Sequence, residues 1–202
     1  MQYQITEYDC GPTSLLNGLR FLFEREEIPP DIPKYVMAYC LDAYSSKGES
    51  GKNGTSQMAM QFLAGWLNHF AKHKKFNIST KYLVGPQVSV KPNSEIIGAL
   101  QQGGAAVVRV RYEGWHYVLL TQAEEDAVRL FDPYLRKRPF RHAGIEILQG
   151  KEACSNRRVR FDVLNADQRT LYALGETATR EAVLLFNTAT RRTQESTIEY
   201  FL

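Results

Sequence analysis

The amino-acid sequence predicts a single α+β domain, in which a mainly helical half precedes a mainly β half. Residues 1–104 place most of their apolar side chains at the three- and four-residue spacing of helices. Residues 105–202 instead carry short apolar or alternating runs that turn residues separate. Helices followed by strands are the order of an α+β protein. A chain of 202 residues is long enough for one sizeable core, and a second domain would be cramped.

Three helices are predicted in the first half, and each has a recognisable start. Cys10 and Pro12 lie at the start of the first helix, because proline fits a first-turn position. Asp31 can cap the second helix, and Thr55 or Ser56 can cap the third. Each helix carries an apolar face with helical spacing. The residues of these faces are Leu15, Leu16, Leu19, Leu22 and Phe23, then Val36, Met37, Cys40 and Leu41, then Met60, Leu63, Trp66, Leu67 and Phe70.

Strands are predicted wherever apolar residues alternate or run together between turn residues. A further short helix is expected from Ser94 to the pair Gly103-Gly104, which ends it. The predicted strands are residues 76–82, 105–111, 116–120, 127–131, 158–163, 170–173 and 182–186. The strands at 105–111, 116–120 and 127–131 follow each other so closely that they predict an antiparallel meander.

Cys10 is the leading candidate for a catalytic residue. It lies in the run Cys10-Gly11-Pro12 at a predicted helix N-terminus. The partial positive charge and the free N–H groups of such a terminus favour a thiolate over a thiol. A thiolate is the form that attacks a carbonyl carbon. The alternative interpretation is a buried small hydrophobic residue near a helix start.

His116 and Asp132 are the candidate partners of Cys10. His116 lies in the strand-like run Gly114-Trp115-His116-Tyr117-Val118, whereas the other three histidines have polar surroundings. In the predicted hairpin His116 begins one strand and Asp132 ends the other, so we expect the two side by side. A catalytic base and the carboxylate that orients it need this proximity. The alternatives are a core histidine bonded to a backbone carbonyl and a turn residue in Asp132-Pro133.

This pattern resembles the papain-like cysteine peptidases of the C39 and C39-like group, which process leader peptides of the bacteriocin type. The matching elements are Gln4 six residues before Cys10, the Cys10-Gly11-Pro12 helix start, the strand with His116, and Asp132-Pro133 sixteen residues after His116. The resemblance implies a papain-like fold, in which a helical half bearing the cysteine packs on an antiparallel sheet half bearing the histidine, with a cleft between them. It covers residues 1–135, and residues 135–202 form an extension that it does not explain.

The resemblance also implies roles for four residues: Cys10 as the nucleophile, His116 as the base, Asp132 as the residue that orients it, and Gln4 as part of the oxyanion hole. Gly11 and Trp115, which flank this set, are candidate substrate-binding residues. A peptidase is the leading interpretation because the resemblance points to one. An acyltransferase or a glutamine deamidase with the same triad, and a non-catalytic peptide-binding module, remain alternatives.

Implied partners are a peptide or protein substrate, with a leader peptide as a candidate, and a separate export transporter, since no transporter domain follows in this chain.

The net charge of +3 is too small to indicate nucleic-acid or membrane binding. Two basic runs, Arg136-Lys137-Arg138 and Arg157-Arg158-Arg160, are typical of solvated faces, although the first follows Asp132 closely enough to border the cleft. No apolar run approaches the ~18 residues of a membrane span. The N-terminus lacks the features of a signal peptide, so we expect a cytoplasmic protein.

The cysteines and the remaining histidines give no sign of a metal or of a cofactor. Cys10, Cys40 and Cys154 are scattered without C-x-x-C spacing, which argues against zinc and against a disulfide framework. Cys40 is predicted to be a core residue and Cys154 a loop thiol. His69 and His73 are four residues apart, but the neighbouring lysines would repel a cation. We therefore expect that the chemistry needs no metal and no organic cofactor.

Overall fold

The computed structural model describes residues 1–148 and 154–192. These residues form five α-helices and seven strands, which confirms the α+β class. The helices are α1 (Cys10–Leu22), α2 (Asp31–Cys40), α3 (Gln57–Lys74), α4 (Glu95–Gln101) and α5 (Phe161–Leu164). The strands are β1 (Ile78–Val84), β2 (Ala105–Arg111), β3 (Trp115–Ala123), β4 (Ala127–Phe131), β5 (Ile145–Ile147), β6 (Arg157–Arg160) and β7 (Glu181–Asn187).

All seven strands belong to one antiparallel sheet with the order β1-β7-β2-β3-β4-β6-β5. The three strands β2, β3 and β4 form the predicted meander. The late strand β7 lies between β1 and β2, so the last described strand is inside the sheet and pairs with the first, which forms one edge. The sheet therefore joins distant parts of the chain around the meander.

Helices cover both faces of the sheet. The helices α1, α2 and α3 pack on the face that presents Val107 and Leu119, whereas α4 and α5 pack on the face that presents Val108 and Leu120. Because both faces are covered, β2 and β7 are buried almost throughout, and most of their residues are apolar. The predicted helical half is therefore not a single layer. Two of its elements lie elsewhere, because α4 covers the opposite face of the sheet and β1 is one of the sheet's strands.

Side-chain caps account for two of the helix starts. Ser56 accepts a hydrogen bond from the Ala59 N–H at the start of α3, and Ser94 does the same for α4. The predicted cap of the second helix is wrong by one position. Asp31 is already the first residue of α2, and Pro30 precedes it without a side-chain hydrogen bond.

The strands after β4 differ most from the sequence prediction. The strand predicted at 158–163 ends at Arg160, because Arg160 pairs with Ala127 and β4 begins there, so residues beyond it have no strand partner. They form α5 instead. The strand predicted at 170–173 is a turn, in which Tyr172 has the left-handed φ of +61°. The short strand β5 was not predicted.

No helix within residues 1–148 and 154–192 has the length and apolar character that a membrane span requires. Three cysteines lie in this part of the chain and all are free thiols. Cys40 is fully buried, as predicted, and Cys154 is exposed in a turn.

Candidate active site

Cys10 is the first residue of α1 and is only 6% exposed. The helix is fixed to the sheet at this end, because the Ser14 hydroxyl donates to the Tyr117 carbonyl over 2.9 Å. Since the first N–H groups of a helix have no acceptor within it, the Cys10 N–H is a free donor beside the Cys10 thiol. The predicted position of Cys10 at a helix N-terminus is confirmed.

His116 and Asp132 meet as the hairpin predicts. His116 lies near the start of β3 and Asp132 directly follows β4, which pairs with β3. The His116 Nε2 and the Asp132 Oδ1 are 2.7 Å apart, and both side chains are buried. His116 also lies close enough to Cys10 for the thiol to help raise the pKa of His116. With Nε2 bonded to Asp132, Nδ1 is the nitrogen left to face the thiol, so the imidazole bridges the thiol and the carboxylate.

The surroundings of His116 favour its protonated form. Burial by itself lowers the pKa of His116, but the hydrogen bonds with Asp132 and with Cys10, together with the charges of both, outweigh burial and raise the pKa to about 10. Asp132 shows the complementary effect. Burial raises its pKa, but the hydrogen bond and the charge of His116, with help from Tyr172 and Tyr134, hold the pKa below its usual range. The pair is thus organised as an imidazolium and a carboxylate.

Three residues whose contacts were not predicted also hold Asp132. The Asn156 side chain accepts from the Asp132 N–H and donates to the Asp132 carbonyl, both over 2.8 Å. The Tyr172 hydroxyl donates to Oδ2, and the Tyr134 N–H donates to Oδ1 over 2.8 Å. Asn156 and Tyr172 are 24 and 40 residues from Asp132 along the chain. No local pattern in the sequence indicates either contact.

Gln4 lies beside the site and its backbone is anchored. Its N–H donates to the Pro133 carbonyl over 2.9 Å, which ties the N-terminal segment to the loop after Asp132. The Gln4 Nε2 donates to the Thr6 carbonyl over 2.8 Å, and the buried Oε1 has no hydrogen-bond partner among the described residues. One of the two amide hydrogens of Nε2 thus remains for another acceptor.

Asp9 shapes the segment that bears Gln4. Its carboxylate accepts from the Ile5 N–H over 3.1 Å and from the Thr6 N–H and hydroxyl over 2.8 Å each. These bonds fold residues 5–9 into a compact loop directly before Cys10.

An open groove crosses the site. One cavity of about 390 Å³ is lined by Cys10 together with the loop before α3, and a second of about 390 Å³ is lined by Gln4 and His116. The two cavities are parts of one groove, because they share four lining residues: Glu7, Tyr8, Gly114 and Trp115. The groove therefore extends on both sides of the Cys10 and His116 side chains.

Trp115 and Gly11 are placed differently with respect to the groove. Trp115 is 36% exposed on its wall, where the guanidinium groups of Arg111 and Arg109 lie 3.4 and 4.1 Å from the ring centre. Gly11 is buried in α1 against Thr55. A Cβ at Gly11 would come within 2.2 Å of the Thr55 Oγ1, so close packing explains this glycine.

A second buried carboxylate, Glu181, contacts two residues that line the groove, Arg109 and Tyr117. Glu181 accepts from the hydroxyls of Tyr82 and Tyr117 over 2.6 Å each, and lies 3.0 Å from the Arg109 guanidinium. Arg109 and Tyr117 also line the cavity next to Cys10. No pattern in the sequence indicates this cluster, because its members come from four different strands, β1, β2, β3 and β7.

The remaining candidates have structural partners. Arg136 lines the second cavity, as its position after Asp132 suggested. Arg157 is buried, contrary to the expectation of a solvated face, and donates to the Asn156 carbonyl over 2.8 Å. Arg158 forms ion pairs with Glu124 and with two further acidic residues. Among residues 1–148 and 154–192, no three His, Cys, Asp or Glu side chains are grouped as metal ligands would be.

Comparison with models of known protein families gives no match to this sequence, and comparison with curated proteins gives none either. The function is therefore inferred from the geometry of the site.

Proposed function

We propose that this chain is a cysteine peptidase, which cleaves a peptide bond through acyl transfer to Cys10. The observation that carries the proposal is the buried array in which the His116 Nε2 lies 2.7 Å from Asp132 and the His116 ring interacts with Cys10. A nucleophile, a base and a group that orients the base are the minimum that this chemistry requires. The array lies in a groove that a substrate can enter.

The first half of the reaction forms a thioester. The Cys10 thiolate attacks the scissile carbonyl carbon, a C–S bond forms, and the carbonyl electron pair moves to oxygen. The Cys10 N–H and the Gln4 amide are the proposed donors to this oxyanion, and one such donor contributes about 2.7–4 kcal/mol to lowering the barrier. His116 gives its proton to the leaving amine nitrogen as the C–N bond breaks.

The second half returns the enzyme to its starting state. His116, now neutral, takes a proton from water, and the hydroxide attacks the thioester carbon. The C–S bond breaks, the thiolate leaves and the carboxylic acid is released. Asp132 holds the His116 ring in one orientation throughout and stabilises the imidazolium whenever His116 carries the proton. None of these steps requires a metal ion or an organic cofactor.

The form of the groove favours a peptide over a small amide. A peptidase must accommodate chain on both sides of the scissile carbonyl, whereas a glutamine deamidase needs room mainly on one side. Two cavities of about 390 Å³ flank Cys10 and His116 and share the walls formed by Tyr8 and Trp115. An extended peptide can therefore cross the nucleophile.

The same residues support a papain-like fold of the C39-like type as the finer description of the α+β architecture. The helix with Cys10 and the strands with His116 and Asp132 approach each other from two layers, with the groove between them. We extend the proposal to a leader peptide as substrate, an export transporter as partner, and the reducing cytoplasm, where Cys10 stays a thiol.

The proposal is tested by the rate at which iodoacetamide modifies each cysteine at pH 6, followed by mass spectrometry. We expect Cys10 to react at least about tenfold faster than Cys154, although Cys154 is exposed, because an ordinary thiol is almost fully protonated at this pH. The variant His116→Ala should abolish the difference. The matched control His142→Ala removes an exposed histidine and should change nothing. Equal rates at Cys10 and Cys154 in the wild-type protein would contradict the proposal.

A peptide library then separates the possible reactions. A peptidase generates new termini that are absent with Cys10→Ala, a deamidase changes the mass of glutamine peptides without cutting them, and an acyltransferase joins an added amine. A binding module retains peptides on wild-type protein and on Cys10→Ala alike, with no product from either. We expect new termini.

A further inference from the structure

Tyr172 contacts Asp132 in a way that the proposed reaction does not by itself require. Its side chain is fully buried, and its hydroxyl donates to the Asp132 Oδ2, the carboxylate oxygen that His116 does not contact. The other oxygen, Oδ1, is hydrogen-bonded to the His116 Nε2 and accepts from the Tyr134 N–H. Each oxygen of the carboxylate thus has its own donors, and the plane of the carboxylate is fixed.

The chain holds Tyr172 in place from several sides. The Tyr172 N–H donates to the Arg111 carbonyl over 2.7 Å, and the Arg111 N–H donates to the Ala173 carbonyl over 2.8 Å. The rings of Tyr112 and Phe140 meet the Tyr172 ring edge-on, 5.9 and 5.7 Å between centres. A left-handed φ is unusual for a bulky residue and persists only where the surroundings determine the conformation.

We propose that Tyr172 is a positioning residue of the active site, which acts through Asp132 to aim Oδ1 at the His116 Nε2. The proposal rests on the proposed function, since it assumes that His116 serves Cys10. It gives the segment after residue 135 a role that the resemblance to C39-like peptidases did not provide: this segment supplies Tyr172 and Asn156, which complete the support of Asp132.

Tyr172 remains a donor across the pH range in which such an enzyme works. Burial, together with the charge of Asp132 and the hydrogen bond to it, raises the pKa of the Tyr172 phenol well above its ordinary value, while Arg157 acts in the opposite direction. The other titratable groups that face Asp132 are His116 and Tyr112. The phenol in turn is one of the groups that lower the pKa of Asp132.

The experiment compares Tyr172→Phe with Tyr82→Phe. Both changes remove one hydroxyl that donates to a buried carboxylate, and both keep the ring, but Tyr82 contacts Glu181. Two quantities are measured: the pKa of Asp132, from the ¹³C resonance of its carboxyl carbon, and the rate of Cys10 alkylation between pH 4 and pH 8. Thermal melting of each variant confirms that it is folded.

We expect Tyr172→Phe to raise the pKa of Asp132 by about one unit, to shift the acidic limb of the alkylation profile to higher pH, and to lower the rate at pH 6 about tenfold. Tyr82→Phe should change neither quantity. In an Asp132→Asn background, Tyr172→Phe should add less than about a twofold effect, because both changes act on one contact.

The outcomes separate the two proposals. A pKa of Asp132 and a Cys10 rate that both stay unchanged in Tyr172→Phe would overturn the positioning role, while rapid alkylation of the wild-type protein would uphold the peptidase. An inert Cys10 in the wild-type protein would overturn the peptidase. In that case the pKa of Asp132 still decides whether Tyr172 controls this carboxylate.

Discussion

Asp132 and Glu181 are two carboxylates buried in one sheet, and they differ in the cation that each one faces. Both are at most 1% exposed, and both accept a hydrogen bond from at least one tyrosine hydroxyl. Glu181 pairs with Arg109, which stays charged at every relevant pH. Asp132 pairs with His116, which can gain and lose a proton and which also contacts Cys10.

Burial of a charge therefore does not by itself single out the proposed catalytic group. A carboxylate paired with a permanent cation can stabilise one arrangement of β1, β2, β3 and β7 without any proton transfer. A carboxylate paired with a histidine stabilises one protonation state of a group that can transfer the proton. Under the proposed function, the identity of the partner distinguishes the structural pair from the reactive pair.

The largest expected effect on activity or stability comes from replacing each carboxylate with the amide of the same shape, which removes its charge. Asp132→Asn should lower the rate of peptide cleavage by about 10²–10⁴, because the orientation and the charge of His116 are lost. Glu181→Gln should leave the rate per folded molecule within about twofold. It should instead lower the free energy of unfolding by about 3–5 kcal/mol, since Arg109 is left buried without its counter-charge.

Kinetics at saturating substrate and urea unfolding of the same samples check this pair of variants. Loss of cleavage in Glu181→Gln at full folding would show that the cluster next to Cys10 takes part in the reaction. A fully active Asp132→Asn would remove the distinction between the two carboxylates.

The pH dependence of stability sharpens the comparison. The folded pKa of His116, about 10, lies above the ordinary value of 6.5. Its contribution to stability is therefore complete below about pH 6.5 and is lost as the pH rises toward 10. We expect the difference in unfolding free energy between the wild-type protein and His116→Gln to shrink over this window by on the order of 2–4 kcal/mol.

Glu181→Gln provides the reference for that experiment. Because arginine does not titrate in this window, the loss of unfolding free energy caused by Glu181→Gln should stay constant from pH 6.5 to pH 10. Chemical denaturation at several pH values measures both differences. A His116 contribution that stays flat across the window would mean that its pKa is not raised in the folded protein.

A smaller effect distinguishes two asparagines with the same backbone contacts. Asn156 bonds the N–H and the carbonyl of Asp132, and Asn165 bonds those of Val90 over 2.9 and 2.6 Å. Replacement of either by alanine should cost about 1–3 kcal/mol of unfolding free energy, because buried backbone groups lose partners. Only Asn156→Ala should also slow the alkylation of Cys10, several-fold, since only it releases Asp132.

Equal alkylation rates in the two asparagine variants would show that the backbone of Asp132 needs no support beyond β4. The rates are measured at pH 6, where the protonation of His116 is complete, so that a change reflects the position of Asp132.

The sequence was most informative where the site is built from neighbouring residues. Cys10 at its helix start and the hairpin that joins His116 to Asp132 follow from spacing and turn chemistry, and the structure brings these three residues together. Such contacts can be predicted because a helix start and a hairpin are set within about twenty residues of chain.

The rest could not be predicted because it depends on contacts between distant segments. Tyr172 was assigned to a strand, since its alternating neighbours are typical of one, whereas its role depends on a left-handed turn beside Arg111. Asn156 lay in a polar run that is typical of a loop. No pattern in the sequence predicted the contacts of Glu181, because its partners lie on three other strands.

The position of β7 has a consequence for when the proposed site can assemble during synthesis. β7 lies between β1 and β2, so the sheet that carries His116 is not complete until residue 187 has left the ribosome. At about 5–20 residues per second, Cys10 is present on the nascent chain for on the order of ten seconds before that point. We therefore expect a ribosome-bound fragment that ends before β7 to show Cys10 with the reactivity of an ordinary cysteine.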